Sequence, residues 1–125
     1  MEKTAKILLV DDDDLLREAV GAALRWAGME VEAFEIPGEN FVEKAEAVDP
    51  DIILLDLYIR DFSGLDICRK LKQNLKTKDI PVILFTSSTE KIDRLAGVDA
   101  GAVEYVVKPI DVNILLAKIK SHLKK

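Results

Sequence analysis

At 125 residues, 49% apolar and 33% charged, the chain is one domain with enough apolar surface for a real core, which excludes a disordered segment. Lys and Arg number 18 against 23 Asp and Glu, and the resulting net charge of −5 argues against direct binding of nucleic acid. Cys68 stands alone, which excludes a disulfide framework or a thiolate metal site. No apolar run approaches membrane-spanning length, and Met1–Lys6 lacks a signal-peptide core, so no membrane association and a cytoplasmic location are expected.

The first element is Ile7–Val10, an unbroken apolar run that empties into Asp11-Asp12-Asp13-Asp14. Two carboxylates ~4 Å apart repel by ~1 kcal/mol in water and by several times that at a lower effective dielectric. Acids crowded at the end of a core strand therefore read either as a cation site or as a solvated loop whose last Asp caps the next helix. Leu16, Val20, Ala23, Leu24 and Ala27 then fall at helical spacing, with Asp13 or Asp14 as N-cap and Gly28 as the stop. Met29–Phe34 is a second strand, and its Met29–Ala33 alternates apolar and acidic residues, as a half-exposed strand does. Phe41, Ala45 and Val48 mark a second helix, opened by Pro37-Gly38 and closed by Pro50. Ile52–Leu55 is a third strand, and Leu65, Cys68, Leu71 and Leu75 a third helix. Val82–Phe85 is a fourth strand. A fourth helix carries Ile92, Leu95 and Ala96 but is interrupted by Gly97 and Gly101. Val103–Val107 and a helix with Val112, Leu115, Leu116, Ile119 and Leu123 complete the chain.

Strands and helices alternating in this way predict an α/β domain: a (βα)5 doubly wound parallel sheet between two helix layers. The unbroken apolar runs suit central strands. The alternating second strand and the fifth, which carries Glu104, suit the edges, a pattern that fits the order 2-1-3-4-5. Residues 1–125 show no repeat and no linker, so a single domain is expected. Trp26 and Phe34 read as packing residues, Cys68 as a small core residue, and His122 as a solvated cation at a helix end.

Ligands of open α/β sheets bind at the carboxyl ends of the strands. Those ends carry Asp11 and Asp12, Asp56, Thr86 with Ser87, and Lys108-Pro109, whereas the second strand ends in Phe34-Glu35 and adds nothing evident. Hard carboxylate oxygens at an open rim suit Mg²⁺, which keeps waters and takes one or two carboxylates plus a phosphate oxygen. Phosphoryl transfer needs an in-line nucleophile and fixed positive charge about the equatorial oxygens. Asp56 offers the nucleophile, Lys108 and a metal at Asp11 and Asp12 the charge, and Thr86 a hydrogen bond. Each residue also has an ordinary reading. Asp56 can open a turn, Thr86 to Glu90 can cap a helix, and Lys108 can be a surface lysine. Their coincidence on four strand ends outweighs those readings.

The chain resembles the receiver domains of two-component response regulators, a chemotaxis-response-regulator-like superfamily with a flavodoxin-like three-layer sandwich. The resemblance rests on Ile7–Asp12, on Asp51–Asp56 followed by Ser63-Gly64, on Pro81–Ser87 and on Gly101–Pro109, in that order over nearly the whole chain. It implies that Asp56 accepts a phosphoryl group from a histidine kinase or histidine phosphotransfer protein in a Mg²⁺-dependent reaction. Such a domain is a phosphoacceptor switch rather than an enzyme, though it assists its own phosphorylation and dephosphorylation. Asp12 would bind the metal directly, Asp11 would assist, and Asp56 and the main-chain carbonyl of Tyr58 would complete the protein ligands. Thr86 and Tyr105 would switch, reshaping the face of helix 4, strand 5 and helix 5 toward an output domain or downstream partner. That face is also a candidate for phosphorylation-dependent dimerisation. The Lys108–Pro109 bond would be cis.

One departure stands out: Ile59-Arg60 replaces the family's usual Met-Pro. Tyr58 and Ser88 would flank the path of attacking water. Asp14 reads as a cap, and Lys118, Lys120, Lys124 and Lys125 make the C-terminal end basic. Two other readings compete. A degenerate receiver would keep the fold and lose phosphorylation. A haloacid-dehalogenase-type phosphatase would attack with Asp11 or Asp12, but the chain lacks room for a cap domain and lacks the downstream acidic pair.

Overall fold

The computed structural model describes residues 4–87 and 90–123. Five strands, β1 (Lys6–Val10), β2 (Glu30–Phe34), β3 (Ile52–Asp56), β4 (Val82–Thr86) and β5 (Glu104–Val107), form one parallel sheet in the order β2-β1-β3-β4-β5. A two-residue ribbon, Tyr58–Ile59 against Phe62–Ser63, stands apart from it as a small antiparallel sheet. The helices between are α1 (Asp14–Trp26), α2 (Phe41–Val48), α3 (Gly64–Lys72), α4 (Lys91–Asp99) and α5 (Val112–His122). None of them is long and apolar enough to cross a membrane.

The sheet is buried on both faces because successive side chains of a strand point to opposite sides. Leu8, Val10, Ile53, Leu55, Val82 and Leu84 face one layer with Phe41, Ala45, Ile67, Cys68 and Leu71 of α2 and α3. Ile7, Leu9, Ile52, Leu54, Ile83 and Phe85 face the other, with Val20 and Leu24 of α1 and Leu115 and Ile119 of α5. Each fully buried aliphatic side chain contributes about 1.5–3 kcal/mol. Summed over the strands, that outweighs the repulsion of the acids at the end of β1, so the sheet can hold charges together there.

Several expectations need correction. β2 begins at Glu30 and β5 at Glu104, one residue later than the apolar runs, while β3 and β4 each run one residue further, through Asp56 and Thr86. Those two polar residues thus ride on the strands themselves. Asp13, not Asp14, caps α1, accepting from the Leu16 N–H at 3.1 Å, and Asp14 instead pairs with Arg17. α3 stops at Lys72, and Leu75 beyond it is 83% exposed. The Thr77 hydroxyl turns the chain there by donating to the Leu71 carbonyl at 2.7 Å. Gly97 lies inside α4 rather than ending it, because a Cβ there would stand only 3.2 Å from Leu84 Cδ1 and 3.3 Å from Tyr105 Cδ2. Ile92 and Leu95, read as that helix's apolar face, are exposed. Trp26 packs against little: it is 92% exposed. Phe34 is half-buried against the α2 and α3 layer and Cys68 is fully buried, as expected. Burial pushes the Cys68 thiol above its ordinary pKa. Ser88, Thr89, Lys124 and Lys125 lie outside the described residues.

Both outer strands carry acids: Glu30 and Glu32 are exposed on β2, and Glu104 is half-buried on β5. His122 is not left to solvent, as the sequence reading had it. Its Nε2 lies 2.9 Å from Glu104 Oε2, and Lys118 Nζ lies 2.9 Å from Oε1. The His122 and Lys118 hydrogen bonds hold the Glu104 carboxyl below its ordinary value of 4.5. A lowered carboxyl pKa adds stability above the unfolded-state value and loses it as pH falls through the folded one. Glu104→Gln is therefore expected to cost up to about 1 kcal/mol at pH 7, as partly exposed pairs do. In urea denaturation the gap should close below about pH 4; a gap independent of pH would contradict this pairing.

Candidate functional site

The carboxyl ends of β1, β3 and β5 bring Asp11, Asp56 and Lys108 together. Lys108 Nζ donates to Asp56 Oδ2 at 3.1 Å and lies 3.0 Å from Asp11 Oδ2. The second contact is an ion pair without hydrogen-bond alignment, so Asp11 Oδ2, fully buried, has no hydrogen-bond donor among the described residues. Its other oxygen accepts from the Asp13 N–H at 2.8 Å. The ammonium also sits 5.3 Å from the centre of the Phe85 ring, which belongs to the strand beside Asp56. Burial opposes the Lys108 charge, but its contacts with Asp11 and Asp56 outweigh burial and hold the ammonium above its ordinary pKa.

Asp56 is almost enclosed. Burial first, and the neighbouring Asp11 charge second, push its carboxyl from 3.8 up to about 6, against the pull of Lys108 and the Tyr58 N–H. That N–H donates to Asp56 Oδ1 at 3.4 Å. Asp12 is half-buried, and one carboxylate oxygen from each of Asp11, Asp12 and Asp56 falls within 4.8 Å of the others. Three carboxylates gather about one half-buried lysine that touches two of them, Asp11 and Asp56, which leaves a surplus of negative charge at the cluster. The Asp11 charge is felt at Asp56, where it adds to burial in pushing the carboxyl up. These hard oxygen donors fit a small divalent cation such as Mg²⁺.

The other residues read from the sequence lie around this cluster. Thr86 is buried at the end of β4, one residue beyond the Phe85 that pairs with Asp56. Its carbonyl accepts from the Lys108 N–H at 2.7 Å, and the Lys108–Pro109 peptide is cis. Tyr58 is exposed on the ribbon, its hydroxyl 3.3 Å from Asp93 Oδ1 of α4. Tyr105 is half-buried on β5, with the Arg94 guanidinium 5.5 Å from its ring centre. It lines a groove together with Arg94, Gly97, Val103 and Lys118.

Three residues carry contacts that the sequence reading did not assign: Glu35, which it set aside, and Arg60 and Gly64, which it named without a role. Glu35, set aside as adding nothing, accepts a hydrogen bond from Arg60. Arg60 Nε also lies 3.9 Å from Asp12 Oδ2. The register could have found Glu35: Val10 pairs with Phe34, and the Asp11 N–H donates to the Phe34 carbonyl, so Glu35 must emerge beside the acids. Arg60 has φ +51, which two-residue hairpin turns commonly demand and which proline, fixed near −65°, cannot adopt. The departure from Met-Pro is thus built into this turn. Gly64 packs directly against the end of β3: its N–H donates to the Leu57 carbonyl at 2.7 Å, and a Cβ would stand 2.3 Å from the Asp56 carbonyl oxygen.

Fold and site together define an open α/β module whose working rim is acidic and is drawn together by one lysine. The chain belongs to the response regulator receiver domain family, whose model matches residues 7–120. It is 38% identical over 120 residues to the response regulator ArlR of Staphylococcus saprophyticus, an alignment covering 96% of this chain and 53% of ArlR. Among solved structures, the BeF3-activated DrrB receiver domain is 36% identical with a TM-score of 0.84, covering 96% of this chain and 97% of that one. Chemotaxis protein CheY4 of Vibrio cholerae is 28% identical with a TM-score of 0.88, covering 97% of this chain and all of that one. The chain spans about half the length of the curated relatives it matches.

Proposed function

We propose that residues 1–125 act as a single phosphoacceptor domain in which Asp56 takes a phosphoryl group from a phosphohistidine of a histidine kinase or phosphotransfer protein. The observation that carries this reading is the Lys108 ammonium bridging Asp11 and Asp56 at the buried strand ends. An Asp56 carboxylate oxygen attacks phosphorus and forms a P–O bond; the P–N bond breaks, and the leaving imidazole keeps the electron pair and takes a proton. Lys108 neutralises charge on the transferred group, and Thr86 donates a hydrogen bond to it. Asp11, Asp12, Asp56 and the Tyr58 carbonyl are the residues that would hold Mg²⁺, which when bound supplies the further positive charge that phosphoryl transfer requires.

The same reading includes a switch. Thr86 moves toward the phosphoryl group and Tyr105 turns inward behind it, changing the groove between α4 and β5 and the adjoining face of α5. That face addresses an output domain or a downstream protein, or a second phosphorylated copy. The domain itself contacts neither nucleic acid nor membrane and works in the cytoplasm.

The test is intact mass after incubation with Mg²⁺ and acetyl phosphate. The wild type is expected to gain one phosphoryl group, dependent on Mg²⁺. Asp56→Asn, folded by circular dichroism, is expected to gain none. Stoichiometric gain in that variant would sink the assignment, and no gain in folded wild type would favour an interaction-only receiver.

A further inference from the structure

Arg60 stands at the outer edge of the acid pocket, with a guanidinium that reaches two carboxylates at once. Glu35 accepts from Nη2, and Asp12 Oδ2 lies 3.9 Å from Nε. All three side chains are partly exposed, Arg60 at 55%, Glu35 at 48% and Asp12 at 29%, so the contacts themselves contribute little stability. Their position matters more. Asp12 is one of the three residues whose oxygens converge, and deeper in the same pocket Asp11 Oδ2 is buried without a hydrogen-bond donor. A positive charge beside Asp12 opposes a cation held by the same carboxylate, while Glu35 shares that charge and so weakens its effect.

We propose that Arg60 is a positioning residue for this pocket, an internal counter-charge shared between Glu35 and Asp12 that lowers the affinity of the site for a divalent cation. The inference rests on the receiver reading above and concerns how weakly the metal is held. A unit charge about 7 Å from a divalent ion near the surface changes its binding by roughly fivefold at low salt, falling toward twofold at physiological ionic strength.

The experiment is calorimetric titration of Mg²⁺ into the phosphate-free protein, with Mn²⁺ binding followed by electron paramagnetic resonance as a second readout. Arg60→Met is expected to tighten Mg²⁺ by about fivefold at low salt, with the gain shrinking as salt is added. Arg60→Lys, which keeps the charge and is equally a non-glycine residue at that φ, should stay near wild type. Glu35→Gln should weaken binding by about threefold, and should do so much less in the Arg60→Met background, since coupled residues are not additive. Equal affinity of wild type and Arg60→Met at low salt, or looser binding in the variant, would overturn the inference while leaving the receiver reading intact. Absence of Mg²⁺ binding from wild type and variants alike would overturn both. Asp12→Asn, expected to lose most binding, shows that the titrated site is this pocket.

Discussion

Lys108→Met is expected to lower stability by about 3–5 kcal/mol in Mg²⁺-free buffer at neutral pH, the usual result of removing one partner from a buried ion pair. The lysine is the only cation that touches both Asp11 and Asp56 among the described contacts, and those carboxylates are nearly or fully buried. Without it, two enclosed acids face each other uncompensated. The loss should depend on pH. With Lys108 in place the Asp56 carboxyl is already raised from 3.8 to about 6, and a folded pKa raised above the unfolded one costs stability as pH climbs through that interval. Removing the ammonium raises it further, so the deficit should be small near pH 4 and largest above pH 7. Mg²⁺ should restore part of it, by about 2.7 kcal/mol at a concentration one hundred times its Kd. Urea denaturation with and without Mg²⁺ at two pH values checks all three statements. A variant as stable as wild type in chelator at pH 8 would show that the cluster does not depend on Lys108.

Gly64→Ala should be nearly as costly, for a steric reason. The added Cβ would meet the Asp56 carbonyl oxygen at 2.3 Å and the Leu57 Cα at 2.9 Å, both main-chain atoms that cannot swing aside. Overpacking typically costs about 1–3 kcal/mol, and a clash with backbone belongs at or above the top of that range. The strain also falls on Asp56, the residue proposed to accept the phosphoryl group. Gly64→Ala should therefore lose Mg²⁺-dependent phosphoryl uptake even under conditions where most of the protein stays folded. Gly97→Ala is the control, because its Cβ would meet only side-chain atoms of Leu84 and Tyr105 at 3.2 and 3.3 Å. Comparable midpoints in thermal unfolding for the two variants would contradict the argument.

The sheet and the core of the acid site were readable from the chain because both are written in short-range patterns. Unbroken apolar runs mark strands buried on two faces, and the residues at their carboxyl ends share one rim in any parallel sheet. The misreadings have particular causes. Trp26 is two residues from Leu24, about 200° around the helix from the buried face, so its size misled where its position did not. Leu75 keeps helical spacing from Leu71, yet the helix has already ended, and spacing cannot report where hydrogen bonding stops. The pairings of His122 with Glu104 and of Arg60 with Glu35 join residues 18 and 25 positions apart, and no local pattern encodes such meetings. The identity of Arg60 was visible as a departure from Met-Pro, but its meaning depended on a backbone angle.

The acids on the two outer strands carry one more consequence. An exposed sheet edge is an open row of amide and carbonyl groups onto which a foreign strand can align, and charged side chains along it discourage that union. Glu30 and Glu32 on one side and Glu104 on the other give this sheet such guards at both margins. On the β2 side, a second molecule that extended the sheet would have to bring cations or desolvate Glu30 and Glu32, while on the β5 side it would have to disturb the Glu104 pairs with Lys118 and His122, so β-augmentation and fibrillar stacking are disfavoured routes of association.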